Sequence, residues 1–160
     1  MARKNVTITI HLSELLYDVY NKTHLTSRSK LDAENFVQAA LIQADEDPEN
    51  YNQILRSITN AYAEVKRLLG EYLYDNCVEA SNVLGVDNPM ELYLLVPNNF
   101  SLSAKDNIAN AIHQYIVNTA ISDWFAITNK DDAAIYTALT ESNIENLQQT
   151  MYKRMRPKKP

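Results

Sequence analysis

Ser103–Thr128 reads SAKDNIANAIHQYIVNTAISDWFAIT and is the longest strongly patterned stretch of the chain. Ile108, Ile112, Tyr115, Ile116 and Thr119 recur at spacings of three and four, which lays one apolar stripe along a helix. Val117, Ala120, Ile121, Trp124 and Phe125 widen that stripe past half the circumference. A helix this apolar is normally covered on several sides, so the stretch predicts a central helix around which the other elements pack. Ser103 is expected to cap it, with Asp106 three residues on meeting the positive helix end. Asn129 marks its end, and Asp131 and Asp132 open the next helix.

Downstream, Lys130–Met155 reads as helical, with Ile135, Leu139, Ile144, Leu147, Met151 and Met155 approximating one stripe. Thr140–Asn143 offers a point where it could divide into two helices, and Pro157 ends it. Upstream, Asp47 and Pro48 suit a cap and a first helical position. The helix they open runs to about Tyr72 and carries Tyr51, Ile54, Leu55, Ile58, Tyr62, Val65, Leu68 and Leu69 in a near-complete three-four repeat. Its apolar side is expected to pack on Ile112, Ile116, Ala120 and Trp124.

The segment between these helices is ambiguous. Met90–Val96 is a short apolar run stopped by Pro97, which predicts a strand. Leu73–Glu79 reads either as its hairpin partner or as the frayed end of the helix before it. Near the start, Asn5–Leu12 alternates, with Val6, Ile8 and Ile10 on one face, and reads as a half-buried strand that needs a partner. Ser13 then caps a short helix, ELLYDVYNKT, with Leu15, Leu16, Val19 and Tyr20 as its apolar side. HLTSRSKL reads as a loop. A further helix, Lys30–Ala44, is expected to start at the Ser29/Asp32 pair and to bury Leu31, Phe36, Val37, Ala40 and Leu41. The expected fold is mainly α: a helical bundle of about five helices with a small two- or three-stranded β element. It forms a single domain over residues 1–152, with a basic C-terminal arm at 153–160.

The chain's 160 residues suit one domain, and its apolar fraction of 46% is ordinary for a globular protein. Only two glycines, Gly70 and Gly85, argue against a turn-rich all-β fold and against a glycine-rich phosphate loop. The single cysteine, Cys77, excludes an internal disulfide and a thiolate metal cluster. Cys77 lies between Asp75 and Glu79, the wrong surroundings for a reactive thiolate, and an inert role is expected. Met-Ala-Arg-Lys followed by a polar alternating stretch does not read as a signal peptide. No apolar run approaches the roughly 20 residues needed to span a bilayer. A protein made in the cytoplasm, without membrane attachment, is expected.

No catalytic signature stands out. His11, His24 and His113 lie on three different elements without metal-ligand spacing, so structural or surface roles are expected. Asp45, Glu46, Asp47 and Glu49 lack the glycine and the distal Glu of a calcium loop, and read as a solvated helix start. The expectation is of no catalytic, cofactor-binding or metal-binding residues, and of no enzyme.

The net charge of −5 is unevenly spread. Lys153, Arg154, Arg156, Lys158 and Lys159 put five of the fifteen basic residues in the last eight; setting those five aside, the net −5 becomes −10 on the first 152 residues. The tail YKRMRPKKP reads either as a solubilising helix end or as an extended arm that docks on an acidic partner or on phosphates. Those five residues are the candidate partner contacts.

Three stretches carry a resemblance: VTITIHLSELLYDVYNKTHLT near the start, IHQYIVNTAISDWFAITNKDDAAIY in the second half, and the closing LQQTMYKRMRP. Together they resemble small structural-module proteins of tailed phages and prophages of gut Bacteroidetes. In helical length and arrangement the chain is similar to head–tail connector (adaptor) proteins of tailed phages. That resemblance implies a mostly helical subunit of a virion neck or tail-completion ring. It also implies a homo-oligomeric ring below the portal, contacts with the portal or other neck and tail proteins through terminal arms, and at most non-specific contact with DNA. The small sheet departs from the nearly all-helical build of many connectors. The residues alone also leave open a helical regulatory or nucleic-acid-binding module, against which the acidic body stands because it repels phosphates.

Overall fold

A computed structural model describes residues 2–32, 34–75 and 77–159. Strand β1 (Arg3–Ile10) places Val6, Ile8 and Ile10 in the core by the two-residue alternation of a strand. Its partner is β2 (Met90–Pro97), which buries Met90, Leu92, Leu94 and Val96 on the same side. The two pair antiparallel, from Arg3↔Pro97 through to Ile10↔Met90. On the other edge of β2, Leu73 makes a single bridge to Leu94, closed by Tyr74 N–H to Tyr93 O at 2.8 Å and Leu95 N–H to Tyr72 O at 2.7 Å. The Leu73–Glu79 segment is therefore neither a full hairpin strand nor a helix end. It crosses β2 once, and the described residues from 77 to 89 carry no regular structure.

Five α-helices surround this two-stranded sheet among the described residues. Helix α1 (Leu12–Ser29) is longer than the sequence pattern suggested, because the stretch read as a loop continues it. Thr23 and Thr26 donate to Val19 O and Lys22 O, each at 2.9 Å, so their hydroxyls are satisfied within the helix. His11, not Ser13, occupies the N-cap position, and no side chain caps there.

Helix α2 (Phe36–Ile42) starts later than expected, after a turn that Asp32 and Asn35 close on each other. Ala33 lies outside the described residues. The buried face of α2 is also corrected: Ala39 and Ile42 face inward, while Leu31, Phe36, Val37, Ala40 and Leu41 are exposed. The cause lies on α1. Buried Ser27 donates to Ala39 O at 2.6 Å, and buried Thr23 accepts from Ala44 N–H at 3.1 Å, so small hydroxyl residues draw the opposite side of α2 onto α1.

Helix α3 (Pro48–Leu68) has Asp47 at its N-cap position and Pro48 at its start, as the sequence indicates, though Asp47 makes no side-chain cap bond. Ile54, Leu55, Ile58, Ala61 and Val65 form its buried face. A 3-10 turn (Leu102–Ala104) leads into α4 (Lys105–Thr128), with Ala104 rather than Ser103 at the cap; Ser103 instead pairs with the Ser101 hydroxyl at 2.7 Å. Helix α4 is the hub, packing against α1, α2, α3, β1 and α5 (Lys130–Met151). Ile108, Ile112, Ile116, Val117, Ala120, Ile121 and Phe125 are fully buried on it, which matches the broad stripe of the sequence.

Helix α5 returns antiparallel to α4 without a break at Thr140–Asn143. The Phe125 and Tyr136 rings meet edge to face at 5.3 Å across this hairpin, and Asn118 Nδ2 donates to Asn143 Oδ1 at 2.8 Å. Ile135, Leu139 and Met155, expected in the α5 stripe, are exposed, whereas Leu147 and Met151 are buried. No helix among the described residues is long and apolar enough to cross a membrane.

Candidate functional site

The candidate contact residues lie where the two ends of the chain meet. The register of the sheet sets Arg3 beside Pro97 and Lys4 beside Val96, next to the turn at Asn98–Ser101. The C-terminal segment runs along that same turn. Met155 N–H donates to Asn99 O at 2.8 Å, and Ser101 N–H donates to Lys153 O at 3.2 Å, with a bridge between Phe100 and Arg154. Arg154 also donates from Nη1 to Met151 O at 2.9 Å, which satisfies a carbonyl left over at the end of α5. Lys4 Nζ donates to Phe100 O at 3.4 Å and lies 4.0 Å from Met155 Sδ.

This arrangement gathers Arg3, Lys4, Lys153, Arg154, Arg156, Lys158 and Lys159 at one end of the molecule. Reading the tail alone found five of these. Arg3 and Lys4 were missed because nothing local says that the first strand pairs next to the last segment. Among the described residues none of the seven has a carboxylate within ion-pair distance. Arg156, Lys158 and Lys159 are exposed and follow no regular structure; Pro160, the last residue of the arm as read from sequence, lies outside the described residues. A cleft between Arg3, Glu71, Tyr72, Leu95 and Asn98 opens at the same end. The site is thus a cluster of unneutralised cations, part anchored through backbone bonds and part free to reach outward. It can bind carboxylates or phosphates, and it holds no nucleophile–base pair.

The other titratable groups are dispersed and engaged locally. His113 Nε2 lies 2.6 Å from Asp18 Oδ2, joining α4 to α1. His11 is exposed at the N-cap of α1, and the Nδ1 of His24 is buried without a partner among the described residues. Lys30 pairs with Asp132 at 2.8 Å, and Asn129 donates to the same carboxylate, which together hold the Asp132 carboxyl below its usual range. Burial, then the carboxylates of Asp87, Asp75 and Glu91, push the Tyr62 phenol up to about 12. Cys77 is exposed, with its N–H donating to Asp75 Oδ1 at 2.9 Å. Among the described residues no group of three or more His, Cys, Asp or Glu side chains is placed to hold a metal ion. No family model, curated protein or solved structure matches the chain.

Proposed function

We propose that this chain is a structural subunit of a tailed-phage neck, a head–tail connector, adaptor or tail-completion protein that works by assembling into a ring within the virion after synthesis in the host bacterial cytoplasm. The observation that carries the reading is the basic end: seven cations with no carboxylate in ion-pair distance among the described residues, on a body of opposite net charge. Such a charge distribution suits subunits that dock end to side on copies of themselves or on an acidic neighbour. The helical bundle is compatible with the resemblance to connectors in its three stretches of sequence, and the portal or another neck protein is the expected heterologous partner.

Light scattering on the eluting full-length chain, followed by negative-stain microscopy, tests the proposal. A closed species of fixed mass and ring outline is the expected result, formed by the chain alone or on addition of a neck partner. A monomer that never joins such a species overturns it. The same seven cations favour one alternative, a nucleic-acid-binding module, since cations that are not neutralised by carboxylates can pair with phosphates and release the counterions condensed on nucleic acid. That alternative expects a dimer or monomer which shifts DNA with a steep salt dependence, where the connector reading expects at most weak, non-specific contact.

A further inference from the structure

A shallow groove lies between the first half of α1 and the turn that enters α3. Ser13, Leu16, Tyr17, Tyr20, Glu46 and Tyr51 line it. Its walls are mostly apolar and aromatic, and Tyr17 is 65% exposed. Glu46 lines it, Asp45 precedes Glu46, and Glu14, Asp47 and Glu49 are near lining residues in the sequence. No residue lining it is cationic. Burial, then Glu46, Tyr51 and Asp45, raise the proton affinity of the Tyr20 phenol, which places those carboxylates within electrostatic reach of the groove. The Tyr20 hydroxyl itself is buried and meets no hydrogen-bond partner among the described residues.

The C-terminal arm has the complementary chemistry. Tyr152 and Met155 are 67% and 52% exposed, and Lys153, Arg154, Arg156, Lys158 and Lys159 are exposed around them. Lysine and arginine stack on tyrosine faces, donate to phenol oxygens and pair with carboxylates. The arm leaves the body beside Lys4, at the start of β1. The groove begins at Ser13, three residues past the other end of that strand, which is itself about 23 Å long. Arg156–Lys159, four residues beyond the last backbone tie at Met155, reach at most about 14 Å. The anchor of the arm and the start of the groove thus lie by opposite ends of β1, a separation that a neighbour's groove does not impose.

We infer that the tyrosine-lined acidic groove of one copy receives the basic C-terminal arm of the next, a pairing that rests on the ring-subunit reading and names its contact. Because arm and groove are different surfaces, the contact is heterologous, and repetition of it closes a ring or runs on as a filament.

The test uses the full-length chain and three variants whose substitutions all lie on the surface: Glu46→Lys with Glu49→Lys, Lys158→Glu with Lys159→Glu, and the four changes together. Sedimentation over a concentration series is the readout, with circular dichroism to check folding. Each charge-reversed pair is expected to weaken assembly about tenfold or more, and the fourfold charge swap is expected to restore it. Assembly that survives either reversal, or a charge swap as weak as the single reversals, overturns the groove assignment and leaves the ring reading standing. If the full-length chain on its own stays monomeric throughout, the ring reading is decided by adding a neck partner, and a synthetic peptide of residues 152–159 titrated onto the chain decides the pairing. Binding that drops about tenfold in the Glu46→Lys, Glu49→Lys variant supports the arm–groove contact; no binding overturns it.

Discussion

Ile58 and Ile116 are both fully buried, on α3 and α4, in the shared core. Truncating either to alanine is expected to lower stability by about 2–5 kcal/mol in denaturant unfolding, whereas the exposed Leu41→Ala should stay within about 0.5 kcal/mol. These positions were legible in the sequence because each repeats at helical spacing within a long apolar stripe. Trp124 was legible as core too, but its second role was not. Its Nε1–H donates to the buried carbonyl of Ile42 at 2.7 Å, and pairing across 82 residues leaves no local trace. Trp124→Phe keeps most of the ring yet orphans that carbonyl, at an expected cost of about 1–3 kcal/mol by circular dichroism. Tyr62 gives a pH signature. Its folded pKa of about 12 lies above the ordinary phenol value of 10.0, so the native state holds the phenolic proton more tightly. The stabilisation is complete below the unfolded value and is lost as pH climbs through the folded one. Stability should therefore fall between the two values, and Tyr62→Phe should remove both that part of the fall and one late-titrating phenol in the ultraviolet spectrum.

At the scale of elements, the two helices that depart most from the pattern do so for one reason. The stretch HLTSRSKL looks like a loop because Thr and Ser are poor helix formers, yet Ser27 within it and Thr23 just before it lie in the α1–α2 contact, Ser27 bonded to the backbone of Ala39 in α2 and Thr23 to that of Ala44, two residues past its end. A buried hydroxyl with a partner is invisible to a count of apolar positions. Once α1 presents small polar residues, α2 meets it through Ala39, and the bulky residues that define its sequence stripe turn outward. The α4–α5 hairpin contains a similar polar contact. Asn118 is 4% exposed and donates to Asn143, while its own Oδ1 has no partner among the described residues. Asn143→Ala should cost about 1–3 kcal/mol by leaving the Asn118 amide unpaired, whereas Asn118→Leu combined with Asn143→Leu should come close to neutral, because both polar groups leave together. Additive losses in that double variant, measured by chemical denaturation, would show the pair to be structurally required.

On the scale of the whole molecule, the joining of the chain ends was the least legible feature, since each end docks separately on the Pro97–Ser101 region, far from it in sequence. The bundle and its small sheet could be anticipated from periodicity and alternation, because each element carries its own pattern. That Lys153–Met155 would lie along Asn99–Ser101 could not, because backbone bonds there place no demand on side-chain type. The consequence is a graded arm. Removing residues 156–160 takes away exposed, extended chain, so thermal unfolding should barely change, while assembly should weaken as cations are lost. Truncation after Tyr152 also removes the partners of Asn99 O and Ser101 N and the Arg154 contact with Met151 O, with an expected cost of about 1–3 kcal/mol. Comparing the two truncations separates anchoring from docking. If the shorter deletion already unfolds at a much lower temperature, the outer arm is packed structure. If assembly is equally strong in the full-length chain and both truncations, and indifferent to salt between roughly 0.05 and 0.5 M, over which the screening length falls from about 14 to about 4 Å, the cations at the joined ends take no part in it.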